Sequence, residues 1–263
     1  MKNLKFIFPL LFFIVASCKE RPTYGDVLVK PEAILKNQTT FLNYWFTAMD
    51  LSHDFIGLDS FSKEIPKNQF LKFVASGHYL PIRLVSDSSS LRYYKLYKIK
   101  APVDNYIINM LKAIGAVEYK NFEWEGQQLP DINYTDLEGK KYDSETIKGK
   151  ILVLDFWFIG CTYCVREIPE LNKLKAKYEN KKDVLFAAIA FDKEKVLRKF
   201  IKKIDFHFDI ISDTASFLLK KLGINTFPTT VVINKQGRIA KILDDQYHLM
   251  EDLKETLKKE CLD

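Results

Sequence analysis

The chain has 263 residues, of which 47% are hydrophobic and 14% aromatic, and this supply of apolar side chains excludes a mainly disordered protein. Its formal net charge of +6 comes from 40 basic and 34 acidic residues that are mixed along the sequence, so charge gives no reason to predict nucleic-acid binding. Only four cysteines are present. The chain is therefore not a small scaffold held together by several disulfides.

The N terminus has the pattern of a secretion signal. After two lysines comes an apolar run from Phe6 to Ala16, which is too short to span a bilayer comfortably as a helix. The run ends in Val15-Ala16-Ser17-Cys18, which resembles the lipobox of bacterial lipoproteins. We expect a signal peptide over residues 1–17, a lipid on Cys18 and a tether over residues 18–30. The alternatives are an ordinary signal peptide with an incidental cysteine, or a short membrane anchor.

The next part of the chain, residues 31–126, has helical and strand patterns but no chemical motif. Three segments with helical spacing of apolar residues are predicted to be helices: Pro31–Asp50, Pro66–Val74 and Ala101–Ile114, the last with Gly115 as its stop. Two segments with alternating apolar residues are predicted to form a hairpin around a turn at 87–90: Leu80–Leu84 and Arg92–Ile99. We predict a small α+β domain whose aromatic residues either fill its core or line a partner-binding groove.

From Gln127 onward, strand and helix patterns alternate. The predicted strands are Ile151–Trp157, Val184–Phe191, Thr229–Asn234 and Ile239–Leu243. The predicted helices are Cys164–Tyr178, Lys193–Ile204, Thr214–Leu222 and Tyr247–Glu260. This alternation predicts a sheet with helices on both faces, and the turn at 235–237 predicts that the last two strands are antiparallel.

Cys161 and Cys164 form a C-x-x-C motif between an apolar strand and a polar helix. This position puts Cys161 at a helix N terminus, where unpaired N–H groups and the helix dipole lower the pKa of a thiol below its free value of about 8.5. We predict that Cys161 attacks a substrate disulfide and that Cys164 resolves the mixed disulfide. Cys261 is interpreted as a stray thiol, with a resolving or intermolecular role as the alternative.

Further motifs accompany the cysteines. Asp155-Phe156-Trp157 precedes them, Pro169 follows Cys164 by five residues, and Thr226-Phe227-Pro228-Thr229 lies before a predicted strand. With these motifs, residues 127–263 resemble the thioredoxin superfamily. Three segments precede the first predicted strand, at residues 129–131, 137–140 and 147–150. They resemble the AhpC/TSA-type sequence that precedes the same strand in the exported TlpA and ResA branch of the superfamily. The resemblance implies an α/β thioredoxin-like fold, a central mixed sheet flanked by helices, after the smaller α+β domain.

The resemblance also implies an activity, a location and partners. It implies an extracytoplasmic thiol–disulfide oxidoreductase, more often a reductant than an oxidant, that requires no organic cofactor or metal. Its partners would be protein disulfide or dithiol substrates, for example in cytochrome c maturation or disulfide repair, and a membrane-linked thiol electron donor. Its location would be the periplasm-facing cell envelope, with the inner or outer membrane left open.

Four residues near the cysteines have predicted roles. Asp155, in an apolar strand, is expected to have a raised pKa and to accept the Cys164 proton; an aspartate facing solvent at a sheet edge is the alternative. Phe227 and Pro228 are expected to dock an extended substrate beside a cis peptide bond, with a trans proline as the alternative. Trp157 is expected to pack beneath the active-site loop and to contribute to substrate binding.

Other chemistries fit less well. The histidines and cysteines lack the spacing of a zinc site, Val165 follows Cys164 where covalent haem attachment needs histidine, and the peroxiredoxin frame is absent. Because Ile159-Gly160 replaces a common tryptophan and the C-x-x-C pair encloses no proline, the direction of electron flow stays open. The remaining alternative is a non-enzymatic binding lipoprotein with a structural Cys161–Cys164 disulfide.

Overall fold

A computed structural model describes residues 24–86, 91–100, 102–213, 216–244 and 247–262. The predicted leader, Cys18 and the predicted turn at 87–90 lie outside these residues. Within this part of the chain, no helix combines the length and the apolar content that crossing a membrane would require.

The N-terminal region, residues 24–124, folds around a four-stranded sheet. Its elements are α1 (Pro31–Ile34), α2 (Gln38–Ala48), β1 (Phe55–Leu58), β2 (Glu64–Ile65), α3 (Lys67–Ala75), β3 (Tyr79–Arg83), β4 (Arg92–Lys98) and α4 (Asn105–Trp124). The strand order is β2-β1-β4-β3. The antiparallel pairing of β3 with β4 confirms the predicted hairpin, whereas β1, which pairs parallel with β4, was not predicted. Aromatic residues such as Phe41, Phe70 and Tyr94 fill the core.

The single helix predicted over Pro31–Asp50 is wrong, because α1 and α2 are separate helices. Asn37 is the N-cap of α2, and its side chain accepts a hydrogen bond from the Thr40 amide at 2.9 Å. The Thr40 hydroxyl accepts a hydrogen bond from the Asn37 amide at 3.2 Å in return. This capping box starts a new helix inside the apolar pattern.

The predicted helix stop at Gly115 is also wrong, because α4 continues to Trp124. Gly115 lies where α4 crosses α3, and a Cβ atom at this position would lie 2.4 Å from the backbone nitrogen of Ala75. Glycine here allows the two helices to pack closely and does not cap α4. The helix begins after Asp104, whose side chain accepts a hydrogen bond from the Tyr106 amide at 2.9 Å.

The thioredoxin region, residues 127–262, contains a five-stranded mixed sheet. Its elements are β5 (Asn133–Thr135), β6 (Lys141–Asp143), β7 (Ile151–Trp157), α5 (Thr162–Lys177), β8 (Val184–Ala190), α6 (Glu194–Ile201), β9 (Asp209–Ser212), α7 (Phe217–Leu222), β10 (Thr229–Ile233), β11 (Ile239–Leu243) and α8 (Leu249–Glu260). The strand order is β11-β10-β7-β8-β9, with β7, β8 and β9 parallel. The antiparallel hairpin of β10 and β11 is confirmed. This is the thioredoxin-like fold that the sequence predicts.

Strand β7 is the centre of this sheet and is buried along its whole length. Successive side chains of a strand point to opposite faces. Ile151, Val153 and Trp157 accordingly pack with leucines of α5 and α8, while Leu152 and Leu154 pack with leucines of α7. Burial on both faces explains why the sequence of this strand is an almost continuous apolar run.

The N-terminal region packs against the β11 edge of the thioredoxin sheet. The Gly126 amide donates a hydrogen bond to the Ile239 carbonyl at 2.7 Å, and the Ile239 amide donates one to the Gln127 carbonyl at 2.9 Å. At the end of α4, the Trp124 indole nitrogen donates a hydrogen bond to the Leu222 carbonyl at 3.1 Å. Helix α4 is therefore joined both to the sheet edge and to the C-terminal end of α7.

Candidate active site

The two cysteines of the C-x-x-C motif lie where β7 leads into α5. They form a disulfide with their Cα atoms 5.3 Å apart. Cys161 is the N-cap residue of α5, and its Sγ atom accepts a hydrogen bond from the Cys164 amide at 3.2 Å. That amide is one of the N–H groups that a helix leaves unpaired in its first turn, so it would stabilise a negative charge on Sγ in the reduced protein.

The two sulfur-bearing residues differ in accessibility. Cys161 is 8% exposed and Cys164 is 2% exposed. Next to them, the guanidinium of Arg166 lies 4.7 Å from the ring centroid of the exposed Tyr163 side chain. Cys161 is therefore the more accessible of the two cysteines, and a positively charged and aromatic surface lies beside them.

Asp155 lies in the central strand β7, two residues before the strand ends, and is 2% exposed. The alternation along β7 points its side chain to the face covered by α5. Burial raises its pKa to about 7, and the opposing effect of a hydrogen bond from the Thr230 hydroxyl, at 3.0 Å, is smaller. The alternative prediction, that Asp155 faces solvent at a sheet edge, is therefore wrong, because β10 and β8 flank β7 on both sides. This carboxyl can take up or release a proton near neutral pH.

Glu167 is a second carboxyl at the site that the sequence interpretation missed. Its Oε2 atom is buried and has no hydrogen-bond partner within the described part of the chain. Burial, together with the negative charge of Asp155, raises its pKa to about 7, while Arg166 acts in the opposite direction. The available signal was its position in α5 three residues after Cys164, since residues at this spacing share one face of a helix.

Trp157 packs inside the thioredoxin region. It is 1% exposed, and its ring lies 6.0 Å from that of Phe200 and 5.5 Å from that of Phe206, measured between centroids. The prediction that Trp157 contributes to substrate binding is therefore wrong if it means direct contact, because the side chain is almost completely buried. Its place in the core supports the strand end from which the cysteine loop starts.

The Phe227–Pro228 peptide bond is cis, so the alternative of a trans proline is wrong. The Phe227 ring is half-buried, and its centroid lies 5.7 Å from that of Phe158 and 5.0 Å from that of Phe191. Phe158 belongs to the loop between β7 and Cys161. The turn before β10 and the cysteine loop after β7 are thus packed against each other at one end of the sheet.

Among the described residues, one group of possible metal ligands was found, and it lies away from the cysteines. Asp50, His53 and Asp252 are buried and each place one possible ligand atom within 4.8 Å of the others. The Arg92 guanidinium forms an ion pair with Asp50 and lies 3.7 Å from Asp252. A cation of the protein already neutralises these acids, so their arrangement fits an ion-pair network better than a metal centre.

Comparison with known proteins decides the family. The profile of the AhpC/TSA family matches residues 126–242. Thiol-disulfide oxidoreductase ResA of Bacillus thuringiensis subsp. konkukian is 33% identical over 134 residues, which cover 51% of this chain and 77% of that protein. ResA of Geobacillus thermodenitrificans is 30% identical over 158 residues, which cover 58% of this chain and 90% of that protein. The chain belongs to the ResA-like thiol–disulfide oxidoreductases of the thioredoxin superfamily.

This ResA-like protein is accordingly a thiol–disulfide oxidoreductase, which replaces the alternative of a non-enzymatic binding lipoprotein. Among solved structures, StoA from Bacillus subtilis aligns with a TM-score of 0.43 and 25% identity, covering 49% of this chain and 97% of StoA. The family profile begins at residue 126, immediately after α4, so the N-terminal region lies outside it.

Proposed function

We propose that this ResA-like protein is an exported reductase of protein disulfides, with Cys161 as nucleophile and Cys164 as resolving thiol. The observation that carries the proposal is the disulfide at the start of α5, which has the more exposed cysteine at the N-cap and a buried carboxyl of raised pKa in the adjacent strand. The two cysteines supply the redox couple, and Asp155 supplies a proton acceptor.

The exchange proceeds in two steps. The Cys161 thiolate attacks one sulfur of the substrate disulfide, so that a Cys161–substrate bond forms and the other substrate sulfur leaves and takes up a proton. Cys164 then gives its proton to Asp155 and attacks Sγ of Cys161, so that the Cys161–Cys164 disulfide forms and the second substrate sulfur leaves as a thiolate, which takes up a proton from water. The substrate gains two electrons and two protons. A thiol donor then reduces the protein again.

The surroundings of the cysteines favour the direction of a reductant. A strong oxidant of this superfamily stabilises its reduced, thiolate-bearing form. Here the carboxyls of Asp155 and Glu167 lie near the cysteine loop, and their negative charge in the ionised state opposes thiolate formation. This makes the dithiol less stable relative to the disulfide, which corresponds to a low reduction potential.

The leader and the family support the proposed location and partners. The lipobox-like sequence before Cys18 supports export and attachment to a membrane surface, and a thiol donor in that membrane would supply electrons. Incorporation of a labelled fatty acid tests this part of the proposal. We expect label in the wild-type protein and none in Cys18→Ala; label in both variants would contradict lipidation at Cys18.

The substrate would lie along the turn of Phe227 and Pro228. This turn packs against the loop that precedes Cys161, and it leads into β10, whose Thr230 contacts Asp155. An extended polypeptide at the turn would therefore reach the Cys161 sulfur and stay next to the residue that accepts the proton.

An equilibrium redox titration of the purified protein tests the function. The protein is equilibrated in glutathione or dithiothreitol buffers, and thiols are counted by alkylation. We expect a reversible two-electron couple near the thioredoxin value of about −270 mV, retained in a Cys261→Ser control and lost in Cys161→Ser. A couple near about −120 mV would contradict the direction, and no reversible couple would contradict the mechanism.

A further inference from the structure

The turn between β1 and β2 presents an aromatic side chain to the outside of the protein. Phe61 lies in this turn and is 90% exposed. An aromatic ring in water is unfavourable, because its burial would remove a large apolar area from water. Single exposed apolar residues are common on protein surfaces, so exposure alone does not indicate a partner. The conformation of this turn and its position close to the proposed membrane anchor do indicate one.

Hydrogen bonds within residues 59–63 hold the turn in one conformation. The Asp59 carboxylate accepts hydrogen bonds from the Phe61 amide at 2.8 Å and from the Lys63 amide at 2.9 Å. The Asp59 amide donates a hydrogen bond to the Lys63 carbonyl at 2.8 Å, and the Ser62 amide donates one to the Asp59 carbonyl at 3.1 Å. The exposed position of Phe61 is therefore set by a well-connected turn, in which the acidic neighbour Asp59 is bonded to the backbone.

The described chain begins close to this turn. The Tyr24 hydroxyl donates a hydrogen bond to Glu64 Oε1 at 2.8 Å, and the Tyr24 ring lies 5.7 Å from that of Tyr93, measured between centroids. Glu64 is the first residue of β2 and follows Phe61 by three residues. Because a chain extends by at most about 3.6 Å per residue, the Cα atoms of Phe61 and Glu64 are within about 11 Å of each other. The segment that leads in from the N terminus therefore contacts the hairpin that carries Phe61.

The proposed anchor lies a short chain length from this hairpin. Five residues separate Cys18 from Tyr24, so the distance between the Cα atoms of these two residues is at most about 22 Å. A folded chain of this length has a radius of gyration of about 18 Å, which corresponds to a width of about 45 Å. A lipid on Cys18 therefore holds the side that contains Tyr24 near the membrane and keeps the opposite side away from it.

Further apolar side chains are exposed next to the start of the described chain. Val27 and Leu28 follow Tyr24, and both are exposed. Val85 is exposed as well, and its amide donates a hydrogen bond to the Asp26 carbonyl at 2.8 Å, so it lies beside the same segment. Exposed apolar side chains of this kind suit the interfacial layer of a bilayer, where they enter between the lipid headgroups.

We propose that the β1–β2 turn rests on the bilayer to which Cys18 is attached, with the Phe61 ring inserted between lipid headgroups. The inference rests on the proposed function, because it takes Cys18 to carry the anchor. One aromatic ring binds a bilayer weakly by itself, but the anchor makes the contact intramolecular and raises its effective concentration. The contact determines which side of the protein faces the membrane.

A fluorescence experiment on vesicles tests the contact. The chain from Cys18 onward contains every described residue, and with Cys261→Ser and an intact Cys161–Cys164 disulfide its free thiol is that of Cys18. This thiol is coupled to a maleimide phospholipid in vesicles of phosphatidylcholine and phosphatidylglycerol. Phe61→Trp then adds a fluorophore to the turn. Its emission, after subtraction of that of the coupled parent protein, is compared with and without phospholipids brominated near the headgroup.

Phe217→Trp is the matched control, because Phe217 is an exposed phenylalanine of α7 in the thioredoxin region. Bromine quenches tryptophan at short range, so we expect brominated lipids to reduce the added emission of Phe61→Trp several-fold more than that of Phe217→Trp. Each substitution replaces one exposed aromatic ring by another. Circular dichroism checks that both variants fold, and the redox titration is expected to give the wild-type couple for both.

The outcomes separate this inference from the proposed function. Equal quenching of Phe61→Trp and Phe217→Trp, or no quenching of Phe61→Trp, would overturn the contact. The maleimide lipid takes the place of a cellular lipid, so the result does not depend on whether bacteria modify Cys18. Absence of fatty-acid label on Cys18 in cells would contradict the proposed lipoprotein, while quenching of Phe61→Trp in the coupled protein would still support the contact of this turn with a bilayer.

Discussion

Two pairs of carboxyl groups in this protein have opposite surroundings. Asp50 and Asp252, at the contact between the two regions, face the guanidinium of Arg92, which forms an ion pair with Asp50 and lies 3.7 Å from Asp252. Asp155 and Glu167, beside the cysteines, have their pKa values raised by burial. The first pair is held by a buried cation, whereas burial brings the pKa values of the second pair close to neutral, where a carboxyl can exchange a proton.

The paired acids join parts of the chain that are far apart in sequence. The Ser52 hydroxyl donates a hydrogen bond to Asp252 at 2.9 Å, and His53 Nδ1 lies 3.0 Å from the other oxygen of the same carboxylate. The hydrogen bond with Asp252 is the largest influence on His53 and raises its pKa. The stability that this raised pKa contributes is complete below the unfolded value of about 6.5 and is lost as pH rises through the folded value.

Removal of the buried acid in the central strand should change the protein most. With a pKa raised from 3.8 to about 7, Asp155 destabilises the folded protein increasingly as pH rises between these values. We expect Asp155→Asn to raise the free energy of unfolding of the oxidised protein by about 4 kcal/mol at pH 8 and by about 2 kcal/mol at pH 5. Urea unfolding at the two pH values measures this change.

The same variant is expected to slow disulfide exchange by about 10²-fold at pH 7, because Cys164 loses its proton acceptor. Stopped-flow fluorescence of the reaction with a disulfide peptide measures the rate. If Asp155→Asn is more stable than the wild-type protein but exchanges disulfides at the same rate, Asp155 is not the proton acceptor.

The next largest effect comes from breaking the paired cluster. Arg92→Met leaves Asp50 and Asp252 buried without their cation, and we expect it to lower the free energy of unfolding by about 3 kcal/mol. Lys173→Met is the control, because Lys173 forms an exposed ion pair with Glu170 and its loss is expected to cost less than about 1 kcal/mol. Equal effects in the two variants would show that the Arg92 network does not hold the two regions together.

The smallest effect concerns the coupling between the two unpaired acids. Glu167→Gln removes a negative charge near Asp155, so the pKa of Asp155 falls and the rising limb of the pH–rate profile moves to lower pH, by less than about one unit. Glu170→Gln, on the exposed side of the same helix, is the control and is expected to leave the limb in place. An identical profile in all three proteins would rule out coupling between Glu167 and Asp155.

Local patterns predicted much of the thioredoxin region and of its site. Strand β7, the cysteine turn and Asp155 can be identified because a charged residue interrupts an apolar run directly before C-x-x-C. Glu167 was missed because a sequence does not show that its helix face turns to Asp155. Gly115 was misread because a close helix crossing and a helix stop produce the same local signal.

Contacts over long sequence separations could not be predicted. The hydrogen bond between Ser52 and Asp252 joins residues 200 positions apart, and no local sequence pattern predicts it. The parallel pairing of β1 with β4 is likewise a matter of topology, since β1 is only four residues long.

The hydrogen bonds from Lys120 and Trp124 to the end of α7 have a thermodynamic consequence. These bonds connect α4 to the start of the loop before β10. A ligand that binds only when the loop and α4 are in this arrangement therefore stabilises the arrangement, by RT ln(1 + [L]/Kd) for free ligand concentration [L]. The coupling is reciprocal. A change that displaces α4 from this arrangement therefore lowers the affinity for that ligand by the same factor.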